Sequence, residues 1–354
     1  MPIVSEQYSK VVGVDCHAAT NTLAVIDAAT GAELDSATFP TTPAGSARAT
    51  TWALRRVEAR SVLCVVEGIG SYGAGIARTL AGVHLPVVEP SVMAKNEHRG
   101  RGKSDQMDAV RIAKSVLGVD VSRLRRPRED GGHRTALQVL VGAREQMTTE
   151  RTKLINALTA LLRMIDLGID ARRPLTGPQI VMIRRWRARP AESIAMSTAR
   201  REAVRLAGHI TALNAELDEN RTQLDALVKG HAPQLQEMKG IGAVVAATVL
   251  VAWSHPGRVR SEAAFASLAG TCPIPASSGN TVRHRLNRGG DRQLNRVITT
   301  IALVRMRCDP ETRAYAAKRT AEGRTKKETM RSLKRYITRQ LFRTLTPKPL
   351  ASTT

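Results

Sequence analysis

The 354-residue chain is predicted to join an N-terminal α/β domain to an all-α remainder, and three observations carry that prediction. Apolar, β-rich runs alternate with helical stretches only within the first 120 residues. Beyond residue 134, apolar side chains recur at roughly 3.5-residue intervals over two long stretches. Charge divides at the same place. Residues 1–120 hold 12 basic and 12 acidic residues, whereas the rest holds 42 and 19, which accounts for the whole net charge of +23.

Taken in order, VVGVD at 11–15 reads as a buried strand ending in an acid, and TLAVID at 22–27 as a second strand. AATG makes a turn, and residues 34–39 return as a third strand. A helix is predicted from Ala44 to Ala59. SVLCVVE at 61–67 is a strand that again ends in an acid, Glu67. A helix over 72–82 and a short strand, HLPVVEP at 84–90, follow. Next comes a basic run containing Arg99, Arg101 and Lys103, of which Lys103 is a candidate nucleic-acid contact. Ser104 then caps a helix whose first turn carries Asp105 and Asp108. Three strands, helix, strand, helix, strand, helix is the order of the ribonuclease H-like fold, with antiparallel neighbours first and parallel crossovers after.

That order brings the acids together. Strand C-terminal ends meet helix N-termini at one edge of an α/β sheet. Asp15, Glu67, Asp105 and Asp108 are therefore predicted to converge, and four carboxylates at one edge repel one another unless a cation holds them. Oxygen ligands of this kind suit Mg²⁺, with Mn²⁺ as an alternative. On the last helix alone, Asp105 and Asp108 have a plainer reading as acids favoured by the helix dipole. Asp27, Asp35 and Glu89 are expected to be solvated strand ends.

Residues 121–134, VSRLRRPREDGGHR, read as a basic linker after a domain spanning 1–120. An arm over 135–232 follows. Leu137, Leu140, Arg144, Met147, Arg151, Leu154, Leu158, Leu161 and Ile165 trace one stripe; Ile210, Leu213, Leu217, Arg221, Leu224 and Leu227 trace another. Two long helices joined by a Pro/Gly-containing excursion suggest a coiled-coil hairpin, or else an ordinary helical bundle. Either makes this part a spacer or a dimerisation arm.

A C-terminal domain is expected over 233–346, with a tail at 347–354. In MKGIGAVVAATVLVAW, Lys239, Gly240 and Gly242 fit the hairpin of a helix-hairpin-helix element, where glycines let backbone N–H groups approach a phosphate. The alternative is a turn between packed helices. Downstream, Ser277-Ser278-Gly279 precedes Arg283, Arg285, Arg288, Arg292 and Arg296. A serine beside clustered arginines has the makings of a nucleophile toward phosphorus, although Ser-Ser-Gly is also an ordinary turn signal. The closing segment repeats Arg331, Arg335, Arg339 and Arg343 beside Leu333, Ile337, Leu341 and Leu345. That basic face is either solvated or tracks phosphates.

Composition narrows the partners. A charge of +23 points to a polyanion, nucleic acid first. Aromatics make up only 3%, which argues against aromatic platforms for single strands. Cys16, Cys64, Cys272 and Cys308 are far apart, so neither a zinc site nor a disulfide framework follows. MPIVSEQYSK lacks an apolar signal core and no apolar run is long enough to span a bilayer, so a soluble, cytoplasmic protein with no membrane partner is expected.

Two separated blocks resemble one family. The first comprises VDCH, VVEGIGSYGAGIARTL and VVEPSVMAKNEHRGRGKSDQMDAVRIAKSV; the second comprises MKGIGAVVAATVL, FASLAGTCPIPASSGN and NRGGDRQLNRVI. Together they are similar to the DEDD transposases of bacterial insertion sequences, the insertion-sequence one-ten family, or bridge recombinases. The resemblance implies a RuvC-like N-terminal domain whose DEDD quartet falls on Asp15, Glu67, Asp105 and Asp108. It implies a C-terminal transposase domain whose nucleophilic serine is Ser278, although Ser277 stands beside it. It also implies a covalent phosphoserine intermediate, Mg²⁺, double-stranded donor and target DNA, a structured bridge RNA that pairs with both, and assembly from dimer to tetramer. A bacterial cytoplasmic protein, nucleoid-associated when bound to DNA, fits that role. The competing chemistry is a metal-dependent junction endonuclease in which water attacks.

Overall fold

The apolar runs around residues 11–14, 23–26 and 62–66 have no exposed members, and they form the centre of a sheet. The computed structural model describes residues 2–57, 61–90, 104–128, 132–277, 284, 285, 287 and 289–346. Its first elements are α1 (Val4–Gln7), β1 (Lys10–Cys16), β2 (Thr20–Asp27), β3 (Glu33–Pro40), α2 (Pro43–Leu54), β4 (Val62–Val66), α3 (Ala74–Gly82), β5 (Val87–Val88) and α4 (Asp105–Lys114). The sheet order is β3-β2-β1-β4-β5. β1 pairs antiparallel with β2 and β2 with β3, whereas β1–β4 and β4–β5 are parallel. The expected element order and the expected directions of pairing, antiparallel first and parallel after, are therefore both present.

Two elements are shorter than expected. α2 stops at Leu54 rather than continuing to Ala59. Beyond it, Arg56 leaves the helical path to pair with Asp35 on β3, and its guanidinium lies over the Trp52 ring at 4.2 Å. β5 is two residues long because Pro86 and Pro90 flank it, and proline cannot donate to a ladder.

Alternation along the strands gives the sheet two apolar faces. Val12 and Val14 of β1, with Val62, Cys64 and Val66 of β4, pack against Ala49 and Ala53 of α2 and Ile76, Ala77 and Leu80 of α3. Val11 of β1, with Leu63 and Val65 of β4, packs against Ile112, Ala113 and Val116 in and after α4. Each fully buried aliphatic side chain contributes roughly 1.5–3 kcal/mol. Gly13 lies on the α4 side, where a β-carbon would sit 2.0 Å from the Ala109 carbonyl oxygen. Only glycine lets α4 lie this close to β1.

The chain divides into two compact units, one of residues Met1–Glu129 with His255–Arg260, the other of Asp130–Ser254 with Ser261–Thr354. In the first, part of the stretch expected to be a linker is tied down. The backbone of Arg125 bridges to Glu89, and His255 Nε2 lies 3.1 Å from the Pro127 carbonyl oxygen. Glu89 also pairs with Arg258 at 3.8 Å. Asp27 accepts from the Thr30 amide and hydroxyl. Asp27, Asp35 and Glu89 are thus partly exposed strand-end acids, each with a hydrogen-bond or ion-pair partner.

The second unit contains α5 (Gly132–Met164), α6 (Gly177–Arg184), α7 (Ile194–His231), α8 (Gln234–Glu237), α9 (Ala243–Trp253), α10 (Glu262–Leu268), β6 (Ile274–Pro275), β7 (His284–Arg285), α11 (Arg292–Cys308), α12 (Pro310–Ala321) and α13 (Lys326–Leu345). α5 and α7 run antiparallel. His133 stacks on His231 near one end, and Leu158 and Leu162 share a core with Ala203, Leu206 and Ile210 toward the other. The two arginines that interrupt the α5 stripe face α7. Arg144 donates to the Leu217 carbonyl at 2.8 Å, and Arg151 donates to Asn214 Oδ1. On α7 the inward polar residue is the buried Asn220, which donates to the Leu140 carbonyl at 3.0 Å. Arg221, expected in the stripe, is exposed beside Asp218. Among the described residues no helix is long and apolar enough to cross a membrane.

Candidate active site

Strand parity sets the direction of the first acid. Val11, Gly13 and Asp15 alternate onto the face of β1 covered by α4. Leu63 and Val65 do the same on β4, and Glu67 is next in that alternation. Val14 and Val66 are register partners, and the Glu67 amide donates to the Val14 carbonyl at 3.1 Å, so Asp15 and Glu67 leave the sheet side by side. The turn after Glu67 needs glycine. Gly68 has φ +64°, and a β-carbon on Gly73 would meet the Glu67 carbonyl oxygen at 2.2 Å.

α4 supplies the other two acids. Ser104 accepts from the Met107 amide at 3.3 Å and so fixes where the helix starts. Ala109, Ile112 and Ala113 bury its inner face. Asp105 and Asp108, three residues apart, lie on one side of the first turn. Asp108 accepts from Arg111 at 2.9 Å.

The side chain of Asp15 is only 8% exposed, against 54% for Asp105. Burial raises the Asp15 carboxyl above the usual range. His17 opposes that rise, and the charges of Asp108 and Asp105 add to it. Burial, together with the charges of Asp15 and Glu67, pushes the Cys16 thiol up to about 12, so it stays neutral.

One residue here escaped sequence reasoning. His17 Nε2 lies 3.1 Å from Asp15 Oδ2 and 3.6 Å from Asp105 Oδ1. Asp15, His17 and Asp105 together present three donor atoms within 4.8 Å of one another. The available signal was spacing, since a residue two after a strand-end acid returns to the same face. The donor set fits a divalent cation. Ligands about 2.1 Å from a metal and at right angles are about 3.0 Å apart, close to the Asp15–His17 separation.

Gly240 has φ +81° in the turn before α9, while Gly242 is the N-cap of α9 and a β-carbon there would meet nothing within 4 Å. Lys239 donates to Asp309 at 2.9 Å. Arg285 and Arg292 are exposed. Arg296 pairs with Glu145 at 3.1 Å. Arg335 donates to the Glu262 carbonyl oxygen, and Arg339 and Arg343 both pair with the Glu262 carboxylate. Much of the basic face of α13 is thus folded onto α10. Ser277 follows β6 and is described, but Ser278, Arg283, Arg288 and Lys103 lie outside the described residues.

Two family models match the chain. One, a transposase model for DEDD proteins of the IS110 type, matches residues 12–166. The other, described as the transposase IS116/IS110/IS902 family, matches residues 232–317. Among similar proteins is the 42 kDa protein of insertion element IS900 from Mycobacterium paratuberculosis, 27% identical over 289 residues, or 68% of this chain and 71% of that one. Another is the 43.6 kDa protein of insertion element IS110 from Streptomyces coelicolor, 33% identical over 140 residues. That match spans 39% of this chain and 35% of its relative, about a third of the relative's length.

Proposed function

Since the chain belongs to the IS110 family of insertion-sequence transposases, we propose that it is a DNA recombinase that cuts and rejoins strands through a covalent phosphoserine, using a carboxylate-held divalent cation and an RNA guide. The observation that carries this reading is the grouping of Asp15, His17 and Asp105, whose donor atoms lie within 4.8 Å of one another, with Asp108 in the same helical turn as Asp105 and Glu67 at the end of the parallel strand beside β1. Asp15, Glu67, Asp105 and Asp108 would hold Mg²⁺ or Mn²⁺. Such a cation supplies charge neutralisation to a DNA phosphodiester.

The remaining chemistry belongs to the chain's own groups. The Ser278 oxygen attacks phosphorus and gives up its proton. A new P–O bond to serine forms as the P–O3′ bond breaks, and the 3′ oxygen takes a proton. In the second transfer a 3′-hydroxyl attacks the phosphoserine and the serine is released. The number of phosphodiester-type bonds is unchanged throughout, so no external energy source is required. Arg285 and Arg292, exposed near the serine segment in sequence, are placed in this reading to neutralise phosphate charge. Base pairing by a bridge RNA would choose donor and target DNA, leaving the protein to grip backbones with its surplus of cations. Assembly from dimer to tetramer belongs to the same reading.

The test is covalent trapping. Full-length protein is mixed with Mg²⁺, RNA transcribed from the element's flank and labelled donor-end DNA, and then run on a denaturing gel. A protein–DNA adduct lost in Ser278→Ala but kept in Ser277→Ala supports the proposal. Free cleaved ends without an adduct, in wild type and both variants, would favour the junction endonuclease with water as nucleophile.

A further inference from the structure

We infer that His17 is itself a ligand of the divalent cation, so that the centre is a mixed nitrogen–oxygen site that prefers Mn²⁺-like transition metals to Mg²⁺. The inference rests on the reading of this edge as a metal centre and adds a donor outside the four acids.

One nitrogen carries the argument. His17 Nε2 faces Asp15 Oδ2 at 3.1 Å and Asp105 Oδ1 at 3.6 Å. A ring nitrogen between two carboxylate oxygens must present either a proton or, through its lone pair, a cation bound by all three. A single N–H points along one line and satisfies one acceptor well. A cation satisfies both oxygens and the nitrogen together. The 3.1 Å spacing is close to the edge of a coordination polyhedron with bonds of about 2.1 Å.

The residue is also held in place before any ligand arrives. The His17 amide donates to the Thr20 carbonyl at 2.8 Å, and the His17 carbonyl accepts from the Thr41 hydroxyl at 3.0 Å. These bonds anchor its backbone to the start of β2 and the end of β3. The ring is half exposed, so water and metal can reach it. Imidazole favours transition metals, whereas an all-oxygen shell suits Mg²⁺. Adding one nitrogen donor therefore changes which cation the site selects.

The experiment uses the full-length chain with Mn²⁺ as the probe. Calorimetry measures the affinity and stoichiometry for Mn²⁺ and, separately, for Mg²⁺. Pulsed electron paramagnetic resonance then looks for nuclear modulation from a bound imidazole nitrogen, using protein with natural-abundance histidine and protein with ¹⁵N-histidine. The expected result is an imidazole ¹⁴N signal that becomes a ¹⁵N signal on labelling. The chain has 8 histidines, so His17→Gln identifies the source. In that variant the signal should vanish, Mn²⁺ affinity should fall by about tenfold or more, and Mg²⁺ affinity should fall less. The labelled wild type shows whether any histidine nitrogen binds the ion, His17→Asn is the second variant if His17→Gln folds poorly, and a ¹⁵N signal that persists in either folded variant would overturn the assignment to His17.

Two further outcomes overturn the inference in distinguishable ways. Stoichiometric Mn²⁺ binding that Asp105→Asn abolishes, with no histidine nitrogen signal, would leave the carboxylate centre standing and reduce His17 to a hydrogen-bond partner of Asp15. Absence of stoichiometric Mn²⁺ and Mg²⁺ binding in the wild type would remove the metal centre and His17's role with it.

Discussion

Replacing Gly13 with alanine adds one methyl group, and the structure says where it goes. The new β-carbon would lie 2.0 Å from the Ala109 carbonyl oxygen, 2.7 Å from the Ala113 amide nitrogen and 2.9 Å from the Ala113 β-carbon. A comfortable carbon–oxygen contact is about 3.3 Å, so strand and helix must separate by roughly 1 Å. No flexible side chain can give way, because backbone meets backbone and both alanines are fully buried. Overpacking of a core costs roughly 1–3 kcal/mol, and this site should fall at the upper end. The same shift carries Asp105 and Asp108 away from Asp15, and disturbing the support of metal ligands costs on the order of 10- to 100-fold in affinity. Thermal melting and Mn²⁺ calorimetry on the same preparation test both consequences. Gly75→Ala is the control. A β-carbon there meets nothing within 4 Å in helix α3, and alanine should stabilise by about 0.5–1 kcal/mol. If Gly13→Ala melts and binds Mn²⁺ like wild type, close packing of α4 on β1 is not what positions the acids.

Other expectations follow from charge and hydrogen bonding. Asp15→Asn should raise the melting temperature of the metal-free protein at pH 7 while abolishing cation binding. The native carboxyl is raised, so it weighs on stability as pH rises from the unfolded value of 3.8 through its native value, and the full penalty is present above that window. Asp309 behaves oppositely. Bonds from the Thr312 hydroxyl and Lys239 hold it at about 2, so its stabilisation is present above 3.8 and lost as pH falls toward 2. Asp309→Asn should therefore flatten the acid limb of a melting series between pH 2 and 5. Asn220→Ala removes a buried amide between α5 and α7 and should lower stability by about 1–2 kcal/mol in urea titrations; an unchanged midpoint would show that Arg144 and Arg151 hold the pair without it.

The α/β topology was legible because hydrophobic burial has a simple period. A five-residue, β-branched run such as VLCVV, too short for a helix of its own, fits a central strand buried on both faces, and an acid at the end of such a run comes out at the sheet edge. Asp15, Glu67, Asp105 and Asp108 could therefore be singled out from local pattern. Helix ends were less legible. α2 stops short because Arg56 finds Asp35, 21 residues earlier, and no local propensity encodes that meeting. The arginines in the α5 stripe read as flaws in an apolar seam, yet they donate to partners on α7 that lie 63 to 76 residues away.

The sequence by itself determined the order of strands and helices, the concentration of positive charge beyond residue 120 and the four acids expected at one edge. These follow from periodicity, helix capping and composition, which act over a few residues at a time. Tertiary structure alone decided which charges have partners. Arg335, Arg339 and Arg343 read as an open basic face until α10 brings Glu262 within reach across 73 to 81 residues. His17 reads as an ordinary histidine until α4 settles against Gly13 and places Asp105 beside it. Electrostatic roles depend on distances of a few ångströms, and only the packed chain sets those distances.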